Sequence, residues 1–353
     1  MDLEKILKMC VQYQASDVHL MVGSQPYLRF HGKLVPVPES AILTPEALKT
    51  MLNPLLEEQQ RELLNVDREL DFSYSLTSGE RFRVNAYHEK GNVAAALRFV
   101  PPNIKSIEDL GLPKIIGDLT SLKQGLVLVT GPTGHGKSTT LAAMIDKINR
   151  ERSEHIVTIE DPVEFVHTPI KSLISQRELH SDTHSWDVAL KSVLREDPNV
   201  VLIGEMRDYE TIEAALTIAE TGHLVFATLH TNNAPQTIDR IVDVFPEDQQ
   251  AQVRSQLSSV LEAVLAQRLV PSVDNARTAI VEILLATPAV RSTVRDGKTH
   301  MLTNVMQTSG DVGMRTLEMA LAEAFRMKRV TMETAREYAM NLEELNRLLA
   351  RER

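Results

Sequence analysis

Gly131-Pro132-Thr133-Gly134-His135-Gly136-Lys137-Ser138-Thr139 decides how the rest of the chain is read. The apolar run Leu126-Val127-Leu128-Val129 leads into it, and a helical pattern, Thr140-Leu141-Ala142-Ala143-Met144-Ile145, leads out. Strand, glycine-rich loop and helix in this order turn a G-x-x-x-x-G-K-[ST] match into a phosphate-binding loop. A triphosphate concentrates negative charge and needs many donors at short range. Glycines let the backbone wrap close enough for its N–H groups to converge. The helix that follows adds free N–H groups and about half a positive charge at its N-terminus. Gly131, Thr133, Gly134, His135, Gly136, Lys137, Ser138 and Thr139 are therefore the expected cradle for ATP. Lys137 is expected on the β- and γ-phosphates, and the Ser138 hydroxyl on Mg2+. A glycine-rich turn that binds nothing would lack these flanks.

Downstream, apolar runs at 126–130, 156–159, 200–203 and 224–228 alternate with helical patterns. Nearly continuous apolar strands are what a parallel sheet covered by helices on both faces requires. Each run ends in chemistry: the phosphate loop, Glu160-Asp161, Gly204-Glu205 and His230. Ligands of open α/β sheets bind outside the carboxyl ends of the strands, so the four ends point to one shared site. Glu205 closes Asn199-Val200-Val201-Leu202-Ile203-Gly204, the arrangement of a Walker B strand. An acid there holds Mg2+, directly or through water, or orients the attacking water. A solvated strand-end carboxylate is the bland reading, and the phosphate loop upstream decides against it. Glu160-Asp161-Pro162-Val163-Glu164 is a second acidic cluster, which spacing alone leaves open between a surface turn and a catalytic segment. His230, at a carboxyl end, is a candidate reporter of the γ-phosphate, whereas His223 lies at the opposite end of its strand. A long helix is expected over 247–267, a strand over 279–285, and helices from there on, the last over 341–349.

The first hundred residues read as a small α/β domain. Leu3, Ile6, Leu7 and Cys10 share a helical face. Short strands are expected at 16–20, 27–30, 34–37, 70–74, 81–87 and 92–98, with His31-Gly32-Lys33 as a turn, and Thr44-Pro45 opens a helix. Arg81, Arg83 and Arg98 sit on these strands, as surface salt bridges or as arginine fingers. Pro101-Pro102-Asn103 marks a linker over 101–113, so the expected domains are 1–100 and 114–353.

Bulk properties bound the function. With 353 residues, 43% hydrophobic and 24% charged, the composition is that of a soluble globular protein of two or three domains. A net charge of −10 argues against nucleic acid as a partner. The single cysteine, Cys10, excludes an intramolecular disulfide framework and a cysteine-based zinc site. The amphipathic start and the lack of a membrane-length apolar stretch point to the cytoplasm.

Together these residues resemble the type II/type IV secretion ATPases, and within them the branch of type IV pilus retraction ATPases. Ala15-Ser16-Asp17-Val18-His19-Leu20 is similar to the start of the family's PAS-like N-terminal domain. Gly131–Thr139 resembles its Walker A, Ile159–Glu164 its Asp box, Leu194–Asp208 its Walker B segment, and Ala219–Asn232 its His box. Thr237–Pro246 is similar to the retraction branch in particular. The resemblance implies a RecA-like ATPase domain, a homohexamer, and an inner-membrane platform protein as partner, with peripheral attachment to that membrane. It implies Glu164 as general base beside Glu160, Glu205 acting through Mg2+, His230 in the catalytic set, and Arg83 and Arg98 as nucleotide-sensing groups. An accessory paralogous ATPase is the alternative function, and a possible further partner. Three departures stand out. His135 takes the place of a usual serine, and tolerance is expected because the loop binds through backbone N–H groups. The family's retraction motif, Ala-Ile-Arg-Asn-Leu-Ile-Arg-Glu, here reads Ala289-Val290-Arg291-Ser292-Thr293-Val294-Arg295-Asp296. The four-cysteine zinc element of assembly ATPases is missing, which favours retraction.

Overall fold

Alternation of buried and exposed residues shapes the N-terminal part of the computed structural model, which describes residues 2–350 apart from His31, Pro101, Pro102 and Asn275. His31 of the expected turn and the Pro101-Pro102 pair of the expected linker thus lie outside the described residues. Two units are distinguished, Met1–Asn103 with Pro162–Val166, and Ile104–Asp161 with His167–Arg353.

In the first unit, α1 (Leu3–Gln12) buries Leu3, Ile6, Leu7 and Cys10, and the Asp2 side chain caps it by accepting from the Lys5 N–H. The strands β1 (Asp17–Leu20), β2 (Tyr27–Phe30), β3 (Lys33–Pro36), β4 (Glu69–Ser75), β5 (Arg81–Glu89) and β6 (Asn92–Val100) form an antiparallel sheet. Its order is β3-β2-β1-β6-β5-β4. Along β5, Phe82, Val84 and Ala86 are buried, so Arg81, Arg83 and Asn85 take the other face. The helices α2 (Pro45–Leu52) and α3 (Glu58–Asp67) complete the unit, and Thr44 caps α2 as its sequence predicts.

In the second unit, α4 (Lys114–Leu119) precedes β7 (Gly125–Thr130), α5 (Lys137–Glu151), β8 (His155–Glu160), β9 (Leu173–Glu178), α6 (Trp186–Val193), β10 (Val200–Ile203), α7 (Tyr209–Glu220), β11 (Leu224–Leu229), α8 (Ala234–Asp243) and α9 (Glu247–Val260). Then come β12 (Leu261–Pro271), β13 (Arg277–Leu285), α10 (Pro288–Arg295), α11 (Leu302–Thr308), α12 (Leu317–Arg326), α13 (Met332–Tyr338) and α14 (Leu342–Ala350). The sheet order is β13-β12-β7-β11-β10-β8-β9, parallel except where β13 runs antiparallel to β12. Leu126 and Leu128 of β7 pack with α6, α7, α8 and α9 on one face, while Val127 and Val129 pack with α4 and α5 on the other. Both faces are covered, which is why these strands read as unbroken apolar runs. Each such side chain is worth roughly 2 kcal/mol of burial.

The expected helix over 247–267 is corrected. It ends at Val260, and Leu261 begins β12, which is inserted between β7 and β13. Leu261-Glu262-Ala263-Val264-Leu265-Ala266-Gln267 is rich in helix formers, but hydrogen bonding on both edges and burial on both faces override propensity. Among the described residues, no helix is long and apolar enough to cross a membrane.

Glu282 of β13 is 6% exposed and ties two helix starts together. Its Oε1 accepts from the Ala234 N–H of α8 at 2.7 Å, and its Oε2 from the Leu317 N–H of α12 at 3.3 Å. Burial pushes its pKa up to about 7, with Glu318 adding to the rise and the two N–H donors and Arg268 opposing it. A carboxyl raised in this way binds its proton more tightly in the folded state. Its contribution is therefore fully present below the unfolded value and is lost as pH rises through the folded one. Relative to Glu282→Gln, the native protein is expected to lose on the order of 3 kcal/mol of stability between pH 4.5 and 7.5. Trp186, the chain's one tryptophan, packs against this unit's core and reports the unfolding. A stability gap that stays constant across that range would contradict the assignment.

Candidate active site

Because β7, β11, β10 and β8 are parallel neighbours, the phosphate loop, His230, Glu205 and Glu160 emerge in a row at their carboxyl ends. The helix α5 opens at Gly136 without a side-chain cap and without an acid in its first turn. By contrast, α6, α7 and α8 are capped by Ser185, Asp208 and Asn233. The N-terminal N–H groups of α5 are thus left to a ligand, and an anion is the ligand their field favours.

Two glycines show why the loop tolerates no side chain where it crosses β12. Gly131 has φ +138°, and a Cβ there would fall 2.2 Å from the Gln267 carbonyl oxygen. Gly136 has φ +81°, and its Cβ would come within 3.0 Å of Gln267 Nε2.

Lys137 is 8% exposed. Its ammonium donates to the Gly131 carbonyl at 2.8 Å, the Pro132 carbonyl at 3.2 Å and His230 Nδ1 at 3.4 Å. Thr133 Oγ1 lies 3.5 Å from the same Nδ1, and His230 Nε2 lies 3.2 Å from Glu205 Oε2. An ammonium has no lone pair to offer and a carboxylate has no proton, so one tautomer satisfies every contact: Nδ1 bare, Nε2 protonated. Arg207 pairs with the other oxygen of Glu205. Lys137, His230 and Glu205 therefore form one connected chain from the phosphate loop to the end of β10.

Glu160 closes β8 and accepts from Thr158 Oγ1 at 2.7 Å and Gln176 Nε2 at 3.4 Å. Glu164 lies in the first unit, where its Oε1 is 4.0 Å from Arg83 Nη1 and both side chains are partly exposed. Arg98, also in the first unit, donates from Nε to Asp17 at 2.9 Å. Burial works to raise the Asp17 pKa, but the bonds from Ser16 and Arg98 outweigh it and hold the carboxyl below its usual range. His223 turns back to the end of α7, its Nδ1 3.1 Å from the Ile218 carbonyl. That is the structural use a histidine most often has.

Two groups escape a reading of the sequence. Gln267, on the strand mistaken for a helix, is 2% exposed and spends both ends of its amide on the loop and its helix. Its Nε2 donates to the His135 carbonyl at 2.8 Å and its Oε1 accepts from Thr140 Oγ1 at 2.7 Å. His135 is no idle replacement either, since its Nδ1 accepts the Leu269 N–H at 3.1 Å. Pro271, Ser272 and Asp274, between two apolar stretches, are turn residues that would have signalled a hairpin here.

The chain is similar to known proteins along nearly its whole length. A family model described as type II/IV secretion system protein matches residues 1–347. The type IV pilus retraction ATPase PilT of Pseudomonas aeruginosa is 43% identical over 96% of this chain and 98% of its own length. A twitching motility protein of Neisseria gonorrhoeae is 48% identical over 91% of this chain and 86% of its own. A crystal structure of the pilus retraction motor PilT with bound ADP superposes with a TM-score of 0.92 at 42% identity, covering 98% of this chain and 99% of that one.

Proposed function

The chain belongs to the type II/IV secretion system protein family, and we propose that it is an ATP-hydrolysing motor that powers type IV pilus retraction and hence twitching motility. One observation carries the reading: likeness to the retraction motor runs through both units, while Lys137, His230 and Glu205 stand within hydrogen-bond reach of one another.

The chain's own groups divide the work as follows. The backbone N–H groups from Gly134 to Ser138 receive the phosphates. Lys137 exchanges its carbonyl partners for β- and γ-oxygens, which releases His230 Nδ1. His230 thereby registers whether the γ-phosphate is present and passes the change to Glu205. Mg2+ fits the oxygen donors at hand, the Ser138 hydroxyl and the Glu205 carboxylate, which are hard ligands of the kind it takes. When bound, the ion neutralises charge on the phosphate oxygens. Glu164 is the proposed general base for the attacking water, with Glu160 as the neighbouring acid. Arg83 and Arg98 are the proposed nucleotide-sensing arginines, and Arg98 would give up its bond to Asp17 to serve.

As a working assembly we propose a homohexamer that meets an inner-membrane platform protein and so sits peripherally on that membrane. Residues 289–295 of the segment lie in α10 and Asp296 caps its end, with Val290 and Val294 buried. Arg291 is committed internally, donating to the Ser258 and Ser259 carbonyls at the end of α9 and to Glu262. Arg295 is exposed and available to a partner. The changed residues Ser292 and Thr293 in this segment favour a second reading, an accessory ATPase that works only alongside a paralogous motor.

The test is Mg2+-dependent ATP turnover measured together with mass in solution, for the native chain and Glu164→Ala. A six-subunit species whose turnover disappears in the variant supports the motor and its base. A monomer that binds no nucleotide and turns nothing over sinks it. Restoring retraction to a strain lacking its motor separates the two readings, because the accessory form would fail there alone.

A further inference from the structure

Strand β7 ends at Thr130, paired with Ala266, but β12 runs on to Pro271. Beyond Ala266 the phosphate loop takes the place that β7 has left. The loop is joined to β12 at His135 twice over. Its carbonyl accepts from Gln267 Nε2 at 2.8 Å, and its ring Nδ1 accepts the Leu269 N–H at 3.1 Å. Just past the loop, Thr140 fastens to the other end of the same glutamine amide at 2.7 Å.

We propose that His135 is a positioning residue, whose neutral ring locks the phosphate loop onto β12 and holds its N–H groups aligned for phosphate, and whose protonation releases the lock. The inference rests on the nucleotide reading above and adds a regulatory property to that site.

The chemistry is that of a single lone pair. Nδ1 accepts the Leu269 N–H only while it carries no proton, and in the imidazolium both nitrogens are donors, so N–H would face N–H. Burial of the ring, then Arg268 of β12, Lys137 of α5 and Arg277 of β13, all hold His135 below the usual histidine value. A histidine depressed in this way keeps its bond at neutral pH and loses it as pH falls through the folded-state value. Residues joined across 132 and 134 positions of sequence thus set the shape of a loop whose binding groups are main-chain N–H. The tolerance expected at this position considers phosphate contact alone, and loop placement is a separate demand on the residue.

The test is the Kd for ADP, measured with the full chain at pH 7.5 and in steps down to the lowest pH at which the chain stays folded, for the native protein, His135→Ala and His135→Asn. Asparagine places Oδ1 where Nδ1 stands and accepts the same N–H, but it does not titrate. At pH 7.5, His135→Ala is expected to bind about 5- to 10-fold more weakly, the value of one net hydrogen bond, while His135→Asn stays within about 3-fold of native. As pH falls, the native Kd is expected to rise relative to that of His135→Asn, by about 5-fold once the ring is protonated. Taking this ratio cancels the titration of the ADP phosphates themselves. Trp186 fluorescence reports whether each variant is folded, and if His135→Ala is not, the native-to-asparagine ratio decides alone. A ratio that does not change across that range, with ADP bound tightly throughout, overturns the lock and leaves the nucleotide site standing. Failure of the native chain to bind ADP at any of these pH values overturns the nucleotide reading and the lock with it.

Discussion

Changing Lys137 to alanine is expected to weaken nucleotide binding by ~100-fold or more and to take ATP hydrolysis below detection, since it removes two charge-assisted bonds of about 2 kcal/mol each. The ammonium has three N–H donors and reaches the Gly131 and Pro132 carbonyls and His230 Nδ1. The two carbonyls are neutral acceptors, which a phosphate oxygen outbids because it carries charge. At 8% exposure the group already stands in a partly dehydrated place, where a point charge is worth more than in bulk water. The variant leaves the buried Gly131 carbonyl and the Pro132 carbonyl without an ammonium, so a stability loss of about 1–3 kcal/mol is expected beside the binding defect, read from melting followed by Trp186. Binding of a fluorescent ADP analogue and phosphate release from MgATP are the two measurements. Hydrolysis at the native rate would show that the triphosphate is held elsewhere.

What could be read of this architecture from the chain follows from how far each interaction reaches. The strands β7, β8, β10 and β11 were legible because burial on both faces writes itself locally, as in Leu126-Val127-Leu128-Val129. The site was legible where its chemistry is packed into neighbouring residues, as in the phosphate loop and Gly204-Glu205. The strand β12 was not, because its pairing with β7 and β13 is long-range while its Leu, Ala, Glu and Gln favour a helix on their own. Gln267 and the ring of His135 were hidden for the same reason: what they do depends on a strand more than a hundred residues away. The strand β9, Leu173–Glu178, escapes the sequence because it is the edge strand beside β8 among the described residues and has polar residues in its second half. Arg98 carries the opposite lesson. Motif likeness assigns it to nucleotide, and the fold gives it a nearly buried partner, Asp17, at 2.9 Å.

The second large effect separates holding the nucleotide from breaking it. Glu205→Gln is expected to lower turnover by about 100- to 1,000-fold, the range lost when one group that stabilises or aligns the reacting centre is removed. Nucleotide affinity is expected to remain within several-fold of native. The substitution is close to isosteric, and a glutamine oxygen still accepts the His230 Nε2–H that now lies 3.2 Å from the carboxylate. What disappears is the negative charge, which Arg207 and, in the proposed mechanism, the magnesium ion both require. The Mg2+ concentration giving half-maximal turnover should therefore rise along with the fall in rate. Glu205→Gln and Lys137→Ala would then fail in different ways, one binding without hydrolysis and the other hydrolysing nothing because it binds poorly. If Glu205→Gln lost nucleotide as completely as Lys137→Ala, the chain Lys137–His230–Glu205 would act as a single structural clamp on the phosphate loop. The separate role for Glu205 in hydrolysis would then be withdrawn.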